Sequence, residues 1–162
     1  MVTKASWVAG LGQGLTWGTL INTADMASMA TANTVLSSVA DITNGTALDM
    51  FMDISALLAI SSSTIAAGAN LAFWIYELQQ DGTTYGDGVF VAGTAAAKTP
   101  AFPPCATVPL YVAASQTVLE GSVNQIIIPP GSFRVAMQNN SGFTLTSGTQ
   151  TVKYRTYNIA MT

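Results

Sequence analysis

From residue 33 onward apolar and polar side chains alternate with a period of two, the signature of strands that bury one face. The clearest run is 48–54, where Leu48, Met50, Met52 and Ile54 share one side and Asp49, Phe51 and Asp53 the other. Residues 71–78 are apolar on both faces and rich in aromatic rings, including Trp74 and Tyr76. They read as a central strand, or as one whose outer side a partner covers. Gln79, Gln80, Asp81 and Gly82 then supply a turn. Residues 89–92 and 110–113 read as short strands. Pro100, Pro103, Pro104 and Pro109 stiffen the excursion between them and exclude regular pairing there. Residues 124–138 read as strand, tight Pro129-Pro130-Gly131 turn and strand, with Phe133, Val135 and Met137 inward and Arg134 and Gln138 outward. Asn139 to Gly142 form the next turn, and a long final strand covers 150–161.

About eight strands separated by turn signals predict an all-β sandwich, with the jelly roll as the favoured arrangement. Helical periodicity surfaces only ambiguously, over 24–39, and no repeat is visible. Residues 1–32 carry neither period. With Trp7 and Trp17 set among glycines they read as an extended N-terminal arm ahead of a β-sandwich domain at 33–162. The two indoles could anchor the arm on a neighbouring subunit, or the arm could fold back on its own sandwich.

Composition sharpens this. Only 8% of residues are charged, against about 25% in ordinary soluble domains. Neutral polar surface is cheap to bury against another chain, so the composition is that of a packed or oligomeric protein. Five cations and a net charge of −3 leave no basic patch for phosphates, which argues against direct nucleic-acid binding. The uncharged stretch 5–24 imitates a secretion signal poorly, because glycines interrupt it, and 54–76 is too broken by Ser, Thr, Gly and Asn to read as a membrane span.

Candidate chemistry is sparse. There is no histidine, which removes the usual base and the commonest transition-metal ligand. Cys105 is the only cysteine, expected as a buried, inert thiol. Asp49 and Asp53 share one face of a strand and could pair for acid or base work or hold a cation, with Glu77 as a further carboxylate, but solvated outward positions are the expected reading, because strand alternation alone predicts them. Residues 81–88 offer two carboxylates without an EF-hand spacing, so a plain turn is expected rather than a cation site. Ser61, Ser62 and Ser63 have no base to activate them. Asn44-Gly45-Thr46 and Asn139-Asn140-Ser141 match the glycosylation pattern, which is short enough to arise by chance. No catalytic residue, cofactor or metal site is expected.

The Pro-Pro-Gly strand pair of 126–138, the Asn139 to Gly142 turn and the aromatic strand leading into 80–85 together resemble jelly-roll decoration, or cement, proteins of tailed bacteriophage heads. The likeness covers 33–162 in style. It implies a non-enzymatic protein on the capsid surface of a virion, bound to the major capsid protein and to copies of itself as a homotrimer. Trp7, Trp17, Trp74 and Tyr76 would be interface residues, with the arm as the reaching element. Deleting residues 1–30 would then leave a folded sandwich that no longer binds shells. The alternative is a glycan-binding or adhesin-like module of a tail fibre or cell surface, with Trp74, Tyr76, Tyr85 and Tyr111 as stacking platforms.

Overall fold

The computed structural model describes residues 5–9, 15–39, 41–59, 67–85, 91–111, 118–146 and 150–161, without the side chains of 5–7, 9, 160 and 161. The elements are β1 (Ala5–Ala9), β2 (Gly18–Ile21), α1 (Thr23–Met26), β3 (Thr34–Leu36), β4 (Ile42–Thr43), β5 (Phe51–Ala59), β6 (Asn70–Glu77), β7 (Ala106–Pro109), β8 (Val118–Ile127), β9 (Ser132–Asn140) and β10 (Thr151–Met161). The protein is an all-β sandwich of two antiparallel sheets, β1-β10-β5-β8 and β3-β9-β6-β7. Along one edge of β10, β1 pairs with 157–161 and β2 with 152–154. Along one edge of β9, β3 pairs with 136–138 and β4 with 132–133. Each sheet therefore has four strand positions, the first of them split. The chain fills them in nested order, first position beside last, which is the arrangement of a jelly roll.

Residues 1–32, expected as an extended arm, supply the first strand position in their described part. β1 and β2 pair with β10, and Leu20, Ile21, Met26 and Met29 lie in the core. Of the two courses open to the arm, its described residues take the one back onto their own sandwich. An eleven-residue β10 would otherwise present an unpaired edge. The helical periodicity over 24–39 amounts to the single turn α1.

The main core lies between the sheets and includes Met52, Ile54 and Leu58 of β5, Leu71 and Phe73 of β6, Phe133, Val135 and Met137 of β9, and Val152 and Tyr154 of β10. β6 is central, between β7 and β9, and both of its faces are covered. A second cluster on its outer side joins Ala72, Trp74 and Tyr76 to Leu36 and Ala136. The cover comes from the same chain: Trp74 Nε1 donates to the Phe102 carbonyl at 2.7 Å, and the Phe102 ring meets Tyr76 edge-on at 5.3 Å.

Several local expectations change. The strand expected over 48–54 begins at Phe51, so Leu48 and Met50 are exposed while Asp49 and Asp53 are buried. The Pro129-Pro130-Gly131 turn joins strands of opposite sheets rather than a hairpin, since β8 pairs with β5 and β9 with β6. Phe133, Val135 and Met137 do face inward, whereas the Gln138 amide is buried, donating to the Ala32 carbonyl and Thr99 Oγ1. Finally, the strand expected at 110–113 lies earlier. Residues 106–109 form β7 despite Pro109, because an edge strand tolerates a missing N–H, and 112–113 lie outside the described residues. Of 89–92, residues 89–90 lie outside them too, and Ala92 makes one bridge to Leu36.

Candidate functional site

Asn44 organises one end of the sandwich. Its buried amide donates to the carbonyls of Asp49 and Pro129, both at 2.8 Å, and its Oδ1 accepts from the Asp49 N–H at 2.7 Å. Leu48 N–H donates to the Asn44 carbonyl at 3.1 Å. This closed loop holds Leu48 at φ +50°, a left-handed conformation that costs a bulky residue roughly 1–3 kcal/mol. Its side chain is thereby turned to solvent, 57% exposed, beside Met50 at 56% and Ile127, the last residue of β8, at 77%. Two clefts flank Ile127. One, of about 200 Å³, lies against Leu48, Met50 and Pro130; the other, of about 460 Å³, against Ile75, Cys105 and Pro129. Ile127, Ile128 and Pro130 line both. The charged side chains among the linings are Glu77 and Asp49, and Asp49 is buried with its Oδ1 accepting from Asn158 at 3.1 Å.

The residues singled out from sequence are distributed differently. Trp74 and Tyr76, expected at an interface, are interior, and this also removes them as glycan platforms. Trp17 is 38% exposed and stacks under the Arg155 guanidinium at 4.8 Å, while the Trp7 side chain lies outside the described residues. Tyr85 lies under Arg134 at 4.6 Å, and Arg134 pairs with Asp41 through Nε at 2.8 Å. Burial and then Asp41 push the Tyr85 phenol up to about 12. Tyr111 is exposed.

Asp49 and Asp53 are not solvated, and they do not converge on one pocket. Asp53 accepts from Arg155 Nε and Nη2 at 2.9 Å, Tyr157 Oη at 2.9 Å and the Gln125 N–H at 3.0 Å. Its oxygens are occupied in holding three strands together. Asp49 instead lines a polar pocket of about 230 Å³ with Asp41, Thr43 and Thr156. Glu77, at the end of β6, is exposed and does not line that pocket.

Asp81 caps its own turn, accepting from the N–H groups of Thr83 and Thr84, both at 2.9 Å, and from Thr84 Oγ1. These bonds, the Thr84 hydroxyl first, hold its carboxyl down at about 2. Residues 86–88 of that loop, and Ser61, Ser62 and Ser63, lie outside the described residues. Among the described residues no group of three Asp, Glu or Cys side chains could hold a metal ion, and no helix is long and apolar enough to cross a membrane.

Cys105, expected in the interior, belongs to an exposed residue, although its sulfur turns down to donate to the Phe73 carbonyl at 3.3 Å. Desolvation at that position pushes the thiol up to about 11, so the reactive thiolate is scarce at neutral pH. Both glycosylation patterns are closed by folding. The Asn44 and Asn139 amides are buried, and Asn139 Nδ2 donates to the carbonyls of Met29 and Phe143.

The Leu48, Met50 and Ile127 surface escaped the sequence reading because strict alternation placed Leu48 and Met50 inward. The available signal was Asn44-Gly45, a turn close enough to break that alternation. Compared with known proteins, the chain matches no family model, no curated protein and no solved structure.

Proposed function

We propose that this chain is a non-catalytic structural protein of a virus particle, a decoration or cement tile that binds an assembled major capsid lattice and stabilises it. The supporting observation is the surface. A jelly roll with 8% charged residues displays Leu48, Met50 and Ile127 on a hydrogen-bonded mount while Phe73, Trp74, Tyr76, Phe133 and Tyr157 are packed inside. Such a face loses little by desolvation when a protein covers it, and a lattice multiplies weak contacts into firm adhesion.

The test is to mix the purified chain with particles from its source that have been stripped of outer proteins, and to pellet them. Saturable co-sedimentation at a fixed ratio per capsid subunit is expected, with shells that withstand higher temperature. Absence of the chain from pellets at every ratio would end this reading.

A further inference from the structure

We propose that Asn44-Gly45 is a modification site gated by the fold: it loses ammonia spontaneously in the unfolded chain, is shut in the native one, and yields a product that cannot rebuild the mount under Leu48. The inference goes beyond the shell reading and does not depend on it. The sequence holds a single Asn-Gly pair, at 44 and 45. Glycine has no Cβ to shield its nitrogen and leaves the backbone free to turn that nitrogen toward the preceding side chain. The Gly45 nitrogen then attacks Asn44 Cγ. A C–N bond forms and closes a cyclic imide, the Cγ–Nδ2 bond breaks, and Nδ2 departs as ammonia with the proton that Gly45 gives up. Water opens the ring at either carbonyl, leaving aspartate or its β-linked isomer at position 44. Water is the sole co-reactant, and nothing is oxidised or reduced.

Folding closes this route. The attack needs Cγ free to rotate toward Gly45, but Nδ2 is tied to the carbonyls of Asp49 and Pro129, both at 2.8 Å, and Oδ1 to the Asp49 N–H at 2.7 Å. The backbone is held too: the Asn44 N–H donates to the Gly131 carbonyl at 2.8 Å, and the Asn44 carbonyl accepts from Leu48. Asn44 is also 3% exposed, which keeps water from the ring-opening step. The same side-chain bonds make the product costly. After deamidation an oxygen stands where Nδ2 stood, facing two carbonyl oxygens with no hydrogen between them, and its carboxylate charge is buried. The β-linked isomer also routes the main chain through the side chain. Either product removes both donated bonds and with them the hold on Leu48.

The test ages the full chain at neutral pH, folded in buffer and unfolded in urea, and follows each asparagine by peptide mass mapping. In urea Asn44 is expected to react ahead of every other asparagine. In the fold it should react at least about tenfold more slowly, because it must await local opening. Chains taken from urea at intervals and refolded should regain the parent thermal transition only in proportion to the Asn44 that is left. Gly45→Ala is the control. A Cβ there meets nothing within 4 Å, so the variant keeps the parent fold while its methyl slows imide formation, and its aged chains should refold in full. Asn44→Asp supplies one product directly and should melt below the parent. Equal rates at Asn44 in buffer and urea, another asparagine reacting first in urea, or aged Gly45→Ala chains that refold no better than the parent's would each overturn the proposal. So would a parent-like midpoint in Asn44→Asp or in chains shown by mass to be deamidated at 44.

Discussion

Asp53 gathers three partners on one carboxylate. The β5/β8 ladder shifts register between Met52 and Ile54, and Gln125 opposite it sits at φ +60°. One carboxylate accepts the Gln125 N–H released there and anchors Arg155 and Tyr157 of β10. Asp53→Ala would remove the carboxylate that the Tyr157 hydroxyl, the Gln125 N–H and the Arg155 guanidinium all meet. A loss of about 2–4 kcal/mol in urea unfolding is expected, discounted because the Arg155 side chain is one-third exposed. A loss below about 0.5 kcal/mol, the range of ordinary surface changes, would mean that the bulge does not depend on it. The neighbouring phenol gives a pH prediction. Burial first, and Asp53 second, push Tyr157 up to about 12. A raised phenol stabilises the fold fully below its ordinary value of 10.0, and that stability is lost as pH climbs from there toward 12. Phenolate absorbance from Tyr157 and Tyr85 should appear late in the native protein and return to the ordinary range in denaturant. Asp81 has the opposite sign: its capped turn keeps its stabilisation above pH 3.8 and loses it as pH falls toward 2. Alternation assigned Asp49 and Asp53 to the side away from Met52 and Ile54. What it could not foresee was that Arg155 and Tyr157, distant in sequence, would meet Asp53.

At the scale of elements, Gly121 shows how closely the two sheets approach. A Cβ built there would lie 2.5 Å from the Pro109 carbonyl oxygen and 2.5 Å from Val108 Cγ1, so β7 crosses β8 where only a hydrogen fits. Backbone cannot step aside cheaply, and Gly121→Ala is expected to cost about 1–3 kcal/mol by overpacking. Gly131 is the contrasting case. Its Cβ would meet nothing within 4 Å, but φ is +99°, so Gly131→Ala pays through conformation alone. Combining Gly121→Ala with Val108→Ala should recover part of the first loss, since it removes one of the two clashing atoms, whereas it should do nothing for Gly131→Ala. Equal behaviour of both glycine variants in that double-mutant comparison would contradict the crowding account. The same elements mark the limit of pattern reading. The strand content of β9 and β10 was legible from their alternation, and that of β6 from an aromatic run, apolar on both faces, that leads into a recognisable turn. β7 was displaced by the assumption that Pro109 forbids pairing, which holds for interior strands but not for an edge. The Pro129-Pro130-Gly131 turn looks the same in sequence whether it closes a hairpin or crosses between sheets, because turn chemistry fixes a reversal of direction and not the partner of either strand.

For the whole molecule, alternation implied two packed sheets, but nesting is a property of distant pairs such as Ala5 with Met161. Nothing local in 1–32 announces that it pairs with the last strand, since Gly18, Thr19, Leu20 and Ile21 are too few to show a period. That nesting reverses the outcome expected for removal of residues 1–30. The cut would delete β1, β2 and α1 together with Leu20, Ile21, Met26 and Met29, all buried. Truncating even one such aliphatic side chain commonly costs about 2–5 kcal/mol, against a total stability of about 5–15 kcal/mol for a domain. It would also bare the β10 edge, a template for aggregation. The 1–30 deletion should therefore show no cooperative thermal transition and no near-UV signal from the buried Trp74. Removal of 1–9 takes only β1 and spares all four core side chains, so that form should fold with a lowered midpoint. Loss of shell binding in the longer deletion would then report unfolding, not an absent arm, and substitutions at the exposed Leu48, Met50 and Ile127 are the proper probes of shell contact. A 1–30 deletion that unfolds cooperatively near the parent midpoint would show that the sandwich closes without its first strand position, and the nested jelly roll would no longer account for its stability.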